Sequence, residues 1–522
     1  MDFQNLQDVQ HQVLHYANVT TSQFQRLPGS AIALRYIKSS YQNDPVRSAI
    51  ELVLVLFAVR YLLAPSYSTQ KPNKIRLTEE EVDDLVEDWT PEPLALGLST
   101  IEEAENEKRP VVVGPSGPKV KIATASGSRH VTNLASWSFY NFGNNEIIKE
   151  KAIASLRRYG VGPCGPPNFY GTQDVHMKTE AEIAAHIGAP ACILYAQGFS
   201  TISSVIPAFS KRGDIIVADR AVNYPIRKGI QVSRSTVYWY DHNDMEDLKR
   251  VLETVVRSQA KKPLTRRFIV TEGLFENVGD MVNLPKLVEF KHQYKFRIIL
   301  DETWSYGVLG THGRGVTEQQ NVDPNHIDMI IGSLAGPLCA GGGFCAGSLE
   351  VVEHQRISSS AYTFSAALPA MLATTASEAL AMREQTPELG VRLRENIDAL
   401  RDQFNPERYP KSVWLFPQSA PENPVVMLVL KPEVVESLGI GRDEEDRLMA
   451  EMVEECLKKD VLITRLKPIP QILGSTARDA SWQPRPALKV CVSAVLSKKE
   501  IEAAGTVVRR ATYGVMERRK RR

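Results

Sequence analysis

The sequence predicts an α/β protein with a large mixed or parallel sheet, a small C-terminal α/β domain and a hydrophobic helix ahead of both. Three observations carry this. From about residue 110, short apolar runs alternate with helical patterns at crossover spacing. Near 384–390 (Glu-Gln-Thr-Pro-Glu-Leu-Gly) the large unit gives way to a second strand-and-helix unit. Between Pro45 and Pro65 lies a nearly unbroken apolar run.

Taken in order, residues 1–45 form a polar N-terminal segment with scattered aromatics and no clear periodicity. Residues 46–64 are expected to form a transmembrane helix. As a helix this run is roughly 28 Å long, close to the hydrocarbon thickness of a bilayer. Glu51 and Arg60 lie within it. Arg60 can snorkel towards headgroups, whereas Glu51 needs a partner or the interface. A buried or surface-lying amphipathic helix is the alternative. A cleaved signal peptide does not fit, because the run starts far from the N-terminus and has no small-residue cleavage site.

Residues 65–109 hold an acidic amphipathic helix and a linker. Thr78 and Glu81 have capping-box spacing, acids crowd the first turn, and Pro91 stops the helix. Val82, Leu85, Val86 and Trp89 make one apolar stripe, which fits packing on the chain's own domains or on a partner. The large domain, 110–385, opens with a helix near 150–158, a Gly/Pro loop at 160–172 and a helix over 173–187. Strands are expected at Ala191–Tyr195, Ile215–Ala218, Thr236–Tyr240, Phe268–Thr271 and Arg297–Leu300. Ile330-Ile331 closes another, and Phe344–Gly347 is the next. The small domain, 386–522, has a helix near 443–458, strands Val461–Thr464 and Leu488–Ser493, and a basic tail at Arg518–Arg522. That tail is a solvated end or a point of attraction to an anionic membrane.

With 522 residues and 43% hydrophobic composition the chain can build two or three domains around a sizeable core. A net charge of +1 provides no global field for nucleic acid. The six cysteines (164, 192, 339, 345, 456 and 491) form no Cys-x-x-Cys pair, and several sit in apolar runs. They read as buried, reduced thiols in a cytosol-facing protein.

Several stretches carry chemistry. Tyr159 to His176 concentrates glycine and proline before a helix, which requires a special turn. His176 at the helix start reads by itself as a satisfied polar residue. Gly198 and Phe199 follow a strand and open a helix, where free N–H groups and the helix dipole suit a phosphate. Asp301 sits at a strand's carboxyl end, where a capping role is the plain alternative. Thr363 and Ser365, in Tyr362–Pro369, read plainly as helix-capping hydroxyls. The run Gly332-Ser333-Leu334-Ala335-Gly336 precedes a glycine-rich turn in which backbone can approach a ligand or a second chain closely.

Together these stretches resemble the α-oxoamine synthase family of class-II pyridoxal-phosphate-dependent enzymes. That family has the fold-type-I transferase fold. The resemblance implies that His176 stacks on the cofactor ring and that Asp301 keeps the ring nitrogen protonated. Gly198 and Phe199 would belong to the phosphate site, and Thr363 and Ser365 would reach across a dimer interface to the other subunit's cofactor phosphate. Four departures matter. Gly336 stands where a Gly-Thr-Leu-Gly-Lys-like run has its Schiff-base lysine. Trp304 replaces the histidine of Asp-Glu-Ala-His-Ser, Tyr224 that of Asn-His, and Lys489 the carboxylate-binding arginine. Lysine cannot copy arginine's bidentate fork. With no amine at 336 there is no covalent route to a carbanion, so no residue of this chain is assigned as catalytic.

Further motifs narrow the resemblance to the lysine-less subunits of the eukaryotic serine palmitoyltransferase family. They are His242–Met245, Gly307–Gly315, Gly343–Gly347, His354–Ser358 and Thr78–Leu94, and the similarity runs from about residue 46 to 505. Pro167 stands where this family usually has arginine. The resemblance implies a single-pass protein of the endoplasmic reticulum membrane with its bulk in the cytosol. It pairs with a lysine-bearing second subunit that holds pyridoxal 5'-phosphate covalently. The pair would condense L-serine with palmitoyl-CoA to 3-oxosphinganine, with small activating and ORM-type regulatory membrane proteins as further partners. A scaffold with no share in the active site and a self-sufficient homodimeric synthase are the alternatives. The missing lysine argues against the second.

Overall fold

The computed structural model describes residues 28–63, 77–89, 100–124, 127–410, 413–470 and 482–521. The first 27 residues, Pro91 and the Trp-Thr-Pro-Glu-Pro ending beyond Trp89 lie outside them. The chain divides into two compact units, 1–105 and 106–522.

In the first unit, the expected aperiodic N-terminus contains a helix, Ser30–Asn43. Asp44 joins it to the next helix, Pro45–Leu63. Its backbone N–H closes the first helix on the Ser40 carbonyl, and its carboxylate accepts from the N–H groups of Val46 and Arg47. One residue thus ends one helix and starts another. The helix expected at 46–64 therefore forms, and Glu51 finds its partner in Arg47 one turn earlier, at 2.9 Å. No helix among the described residues is long and apolar enough to cross a membrane. Arg47, Glu51 and Arg60 interrupt this one. Helix Glu79–Glu87 has the expected capping box, with Glu81 N–H on Thr78 Oγ1 and Thr78 N–H on the Glu81 carboxylate. Its stripe residues Val82, Leu85, Val86 and Trp89 are exposed.

The second unit is built on three sheets. The seven-stranded sheet has strands β4 (Ala191–Tyr195), β5 (Ile215–Asp219), β6 (Thr236–Tyr240), β7 (Arg267–Glu272), β8 (Arg297–Asp301), β9 (Met329–Ser333) and β10 (Gly343–Gly347), in the order β4-β10-β9-β8-β7-β5-β6. Strands β9, β8, β7, β5 and β6 run parallel, and β10 is antiparallel to both its neighbours. Isoleucine, valine and phenylalanine fill these strands because both faces are covered by helices. The carboxyl ends of the parallel strands carry Asp219, Glu272 and Asp301, which puts three acids along one edge.

The other two sheets hold the C-terminal domain. Strands β1 (Val112–Val113), β2 (Lys119–Thr124) and β3 (Gly127–Asn133) form an antiparallel meander, and β3 pairs in parallel with β13 (Val461–Leu462). Residues 112–133, placed in the large domain by sequence, thus share a sheet with the small one. The other sheet is antiparallel, in the order β11 (Leu415–Pro417), β12 (Val425–Leu430), β15 (Leu488–Cys491), β14 (Thr464–Arg465). The strand expected at Val461–Thr464 is thus split, each half joining a different sheet. Helix Lys498–Lys520 starts with a Ser497–Glu500 capping box and buries Ile501, Ala504, Val508, Ala511 and Val515 at heptad spacing. Arg518–Lys520 of the expected basic tail form the last turn of this helix, Arg521 caps it, and Arg522 lies outside the described residues. Arg519 pairs with Glu444, and Arg518 lies 3.6 Å from Glu455.

Candidate active site

Asp301 ends β8 and is buried. Its Oδ2 accepts from the Asn223 side chain at 3.0 Å and its Oδ1 from the Thr303 N–H at 2.9 Å. Asn223 also donates to the Glu272 carboxylate, from its backbone at 2.8 Å and its side chain at 3.1 Å. Its carbonyl oxygen caps helix Tyr224–Ser233 through the Ile226 N–H. Asn223 is therefore the hub of the site. Sequence reading passed over it for its neighbour Tyr224; the capping position ahead of a Tyr-Pro helix start was the available signal. Glu276 joins the cluster, its N–H donating to Glu272 at 3.0 Å. Burial raises the carboxyl pKa of Asp301, Glu272 and Glu276, and Asp301 pushes Glu272 higher still. Lys489 is the cation that counters this at Glu276.

Gly336 lies in the turn between β9 and β10, with Trp137 directly against it. A Cβ added at 336 would meet Trp137 Cε3 at 3.4 Å. Trp137 packs on Trp304, ring centres 3.8 Å apart and planes tilted by 59°. The Lys489 ammonium sits 4.9 Å from the Trp304 ring centre, and the Trp304 side chain donates to Glu276. Next to Trp304, Glu302 is wholly buried and pushed up to about 7 by burial. It accepts from Ser305 Oγ and the Val316 N–H, which ties down the 302–316 turn. Trp137, Glu272 and Glu276 were not read from the sequence, because no motif around them marks them, and Glu302, although it lies within the Asp301–Ser305 motif, was given no role. Without an amine at 336, and with indole rings against that position, the residues of this chain do not fit covalently held pyridoxal phosphate.

His176, for which the resemblance implies stacking on a cofactor ring, has both ring nitrogens engaged. Nδ1 accepts from the Gln173 N–H at 3.0 Å, closing a capping box, and Nε2 meets the Leu368 carbonyl at 2.5 Å. It staples the start of helix Asp174–Ile187 to the 359–368 segment. The ring next to Asn223 is Tyr224, 6.1 Å from the ring centre of Phe199.

Gly198 and Phe199 open helix Gly198–Phe209, whose N-cap Gln197 makes no side-chain capping bond. The helix start presses on the β9–β10 hairpin. A Cβ at Gly343 would stand 2.4 Å from Thr201 Oγ1 and 3.2 Å from the Gly198 Cα, so only glycine fits there. Ser333 Oγ faces the same helix start, 3.0 Å from where a Gly198 Cβ would be. The arrangement can hold an anion between helix N–H groups and a hydroxyl.

Thr363 and Ser365 stand apart from the Asp301 cluster. Their hydroxyls make only long bonds, 3.4 Å each, to the Ile357 and Ala366 carbonyls, and Phe364 between them is 85% exposed. The segment carrying them is firmly held. Ser204 Oγ bonds Ser359 Oγ at 2.6 Å and accepts from the Ala361 N–H. Arg356 pairs with Glu180 at 3.0 Å and donates to the Tyr362 hydroxyl at 2.7 Å, which in turn donates to Asn168 in the Gly/Pro loop. The Ala367 N–H closes on the Gly165 carbonyl. Loop and segment form one clasp that presents Phe169, Tyr170 and Phe364 outward.

With this geometry in view, comparison with known proteins is direct. The Aminotransferase class I and II family model matches residues 129–507. Serine palmitoyltransferase 1 of Dictyostelium discoideum is 37% identical over 86% of this chain and 91% of that protein. Its Saccharomyces cerevisiae counterpart is 35% identical over 94% and 92%. Long chain base biosynthesis protein 1 of Arabidopsis thaliana is 38% identical over 78% and 81%. Among solved structures, the S. paucimobilis serine palmitoyltransferase with a bound PLP–myriocin aldimine superposes with a TM-score of 0.67 at 20% identity, covering 78% of this chain and 93% of that one. At that identity the likeness establishes the fold, and the sequence relatives establish the family. A fold-type-I sheet edged by Asp301 and more than a third of residues shared across most of its length make this chain a member of the serine palmitoyltransferase 1, or long chain base biosynthesis protein 1, family.

Proposed function

We propose that the chain is the non-lysine subunit of a heterodimeric serine C-palmitoyltransferase that condenses L-serine with palmitoyl-CoA to 3-oxosphinganine, releasing CO2 and CoA. The observation that carries this is Gly336 at the nucleophile position, backed by an indole ring. A chain so built contributes to this chemistry through a partner that holds the pyridoxal phosphate on its own lysine. The clasp supplies the contribution. It holds Thr363 and Ser365 on an exposed segment with their hydroxyls only weakly used, ready to donate to a phosphate across the interface. A hydroxyl-to-phosphate bond is worth about 1.5–3 kcal/mol, hence roughly a tenfold to hundredfold effect on cofactor retention. Thr363→Val with Ser365→Ala, in the complex co-purified with the lysine-bearing subunit, is expected to lower cofactor occupancy and synthase rate by that factor while assembly persists. Unchanged occupancy and rate would remove the shared site from this reading.

The chain attaches to the endoplasmic reticulum membrane through helix Pro45–Leu63, with units 77–522 on the cytosolic side. The support is the run Leu52–Phe57, six consecutive apolar residues that are all exposed and so face every side of the helix. High-pH carbonate is expected to leave the protein with the membranes and to release a 46–64 deletion. Complete release of the intact chain would make the attachment peripheral.

A further inference from the structure

The residues around Gly336 do more than omit a lysine. Position 336 points at Trp137, Trp137 packs on Trp304, and Trp304 is covered by the Lys489 ammonium. The four form a continuous column that starts where a lysine side chain would leave the backbone. Trp304 is buried, and its N–H is fixed by Glu276. Members of the column come alternately from two bodies of the second unit. Gly336 and Trp304 belong to the seven-stranded sheet and its turns, and Lys489 is on β15 of the C-terminal sheet. Trp137 lies on the segment after β3 that is sewn to that same sheet. The Cys491 N–H donates to the Leu134 carbonyl at 2.7 Å, and the Ala494 N–H to the Phe139 carbonyl at 2.8 Å.

We propose that Trp137, Trp304 and Lys489 form a built-in plug that closes this chain's own cofactor pocket to pyridoxal phosphate, covalent or not, and latches the C-terminal sheet to the large one. The inference goes beyond the shared-site reading, which concerns the partner's pocket. It rests on three side chains of distinct chemistry meeting at the position of the missing nucleophile. Two stacked indoles stand at the position from which a lysine tether would leave, Trp137 in van der Waals reach of a side chain at 336 and Trp304 behind it. A cation over an indole, with a carboxylate on the indole's N–H, holds the stack from both ends. The loss of the lysine and the filling of its pocket are thus separate features, and restoring the amine alone does not restore the site.

The test uses the co-purified complex saturated with pyridoxal phosphate, with borohydride-trapped cofactor mapped by peptide to each chain and untrapped cofactor counted after dialysis. The wild-type complex is expected to hold no cofactor on this chain in either form. Gly336→Lys alone is expected to trap none on this chain, because the new side chain starts against the Trp137–Trp304 stack. Gly336→Lys combined with Trp137→Ala and Trp304→His is expected to trap up to one equivalent on Lys at 336. Cofactor on the wild-type chain, trapping by the single substitution, or no trapping by a triple variant that still assembles would each overturn the plug. For the latch, Lys489→Ala is expected to speed hydrogen exchange in 134–139 and 488–491, and Lys489→Arg, which keeps a cation over the indole, to restore protection. Equal exchange in all three proteins would overturn the latch. Cofactor missing from the partner would count against the shared-site reading alone, since each chain is mapped separately.

Discussion

His242 is a half-buried imidazole with a carboxylate on each nitrogen. Nδ1 lies 3.0 Å from Asp219, which is wholly buried, and Nε2 lies 3.0 Å from Asp280. The neighbouring Asn243 fixes both acids, through its N–H to Asp219 and its side-chain amide to Asp280, and Phe275 meets the ring edge-on. Burial opposes charge on the ring, but the two carboxylate bonds outweigh it and push its pKa from 6.5 to about 10. The sign follows from linkage. A group held more tightly by its proton in the folded chain stabilises fully below its unfolded pKa, near 6.5. That contribution declines as pH rises and is gone above about 10. His242→Gln is therefore expected to be less stable than wild type at pH 6.5 and to converge with it as pH approaches 10. Urea midpoints at several pH values check this, and parallel pH profiles for the two proteins would refute it.

The element that matters most for the proposed interface is the clasp between the Gly/Pro loop and the 359–368 segment. Its centre is the pair Arg356–Glu180, both mostly buried, with Arg356 also reaching the Tyr362 hydroxyl through a second guanidinium nitrogen. Lysine at 356 would keep the charge but lose the fork that serves two partners at once. Charge-assisted bonds of this kind are worth about 1.5–3 kcal/mol, enough to open a loop that has few other ties. Arg356→Lys is expected to speed hydrogen exchange in 160–171 and 359–367 together, while β4 and β10 stay protected. Exchange that rises in one stretch without the other would mean that the two do not move as a clasp.

At the scale of the whole molecule, the C-terminal domain is not made from C-terminal residues alone. Strand β13 pairs with β3 some 330 residues earlier, the Leu134 N–H closes on the Leu462 carbonyl, and the Cys491 N–H closes on Leu134. Val120, Ile122 and Val131 bury their side chains against Leu462 in a small core of their own. A fragment of residues 386–522 therefore lacks one wall of its core and the partner of one strand. It is expected to show little cooperative unfolding by circular dichroism. A cooperative transition in the isolated fragment would show that β1–β3 are dispensable.

What the sequence determined by itself was whatever depends on neighbours a few residues apart. The central strands lie where their apolar runs are, within a residue or so at each end, because burial on both faces leaves a local signature. The Thr78–Glu81 and helix 442–458 readings hold for the same reason: caps and periodicity are made within one or two turns. Tertiary structure decided the rest. It put β1–β3 into the C-terminal domain, split the strand expected at 461–464 between two sheets, and set His176 against the Leu368 carbonyl, 192 residues away. It made Asn223 the common donor to Glu272 and Asp301, and it stacked Trp137, Trp304 and Lys489 in front of Gly336. Each of these is a contact between residues far apart in the chain, with no period or motif to announce it, and only the packing of one sheet against another brings the partners within bonding distance.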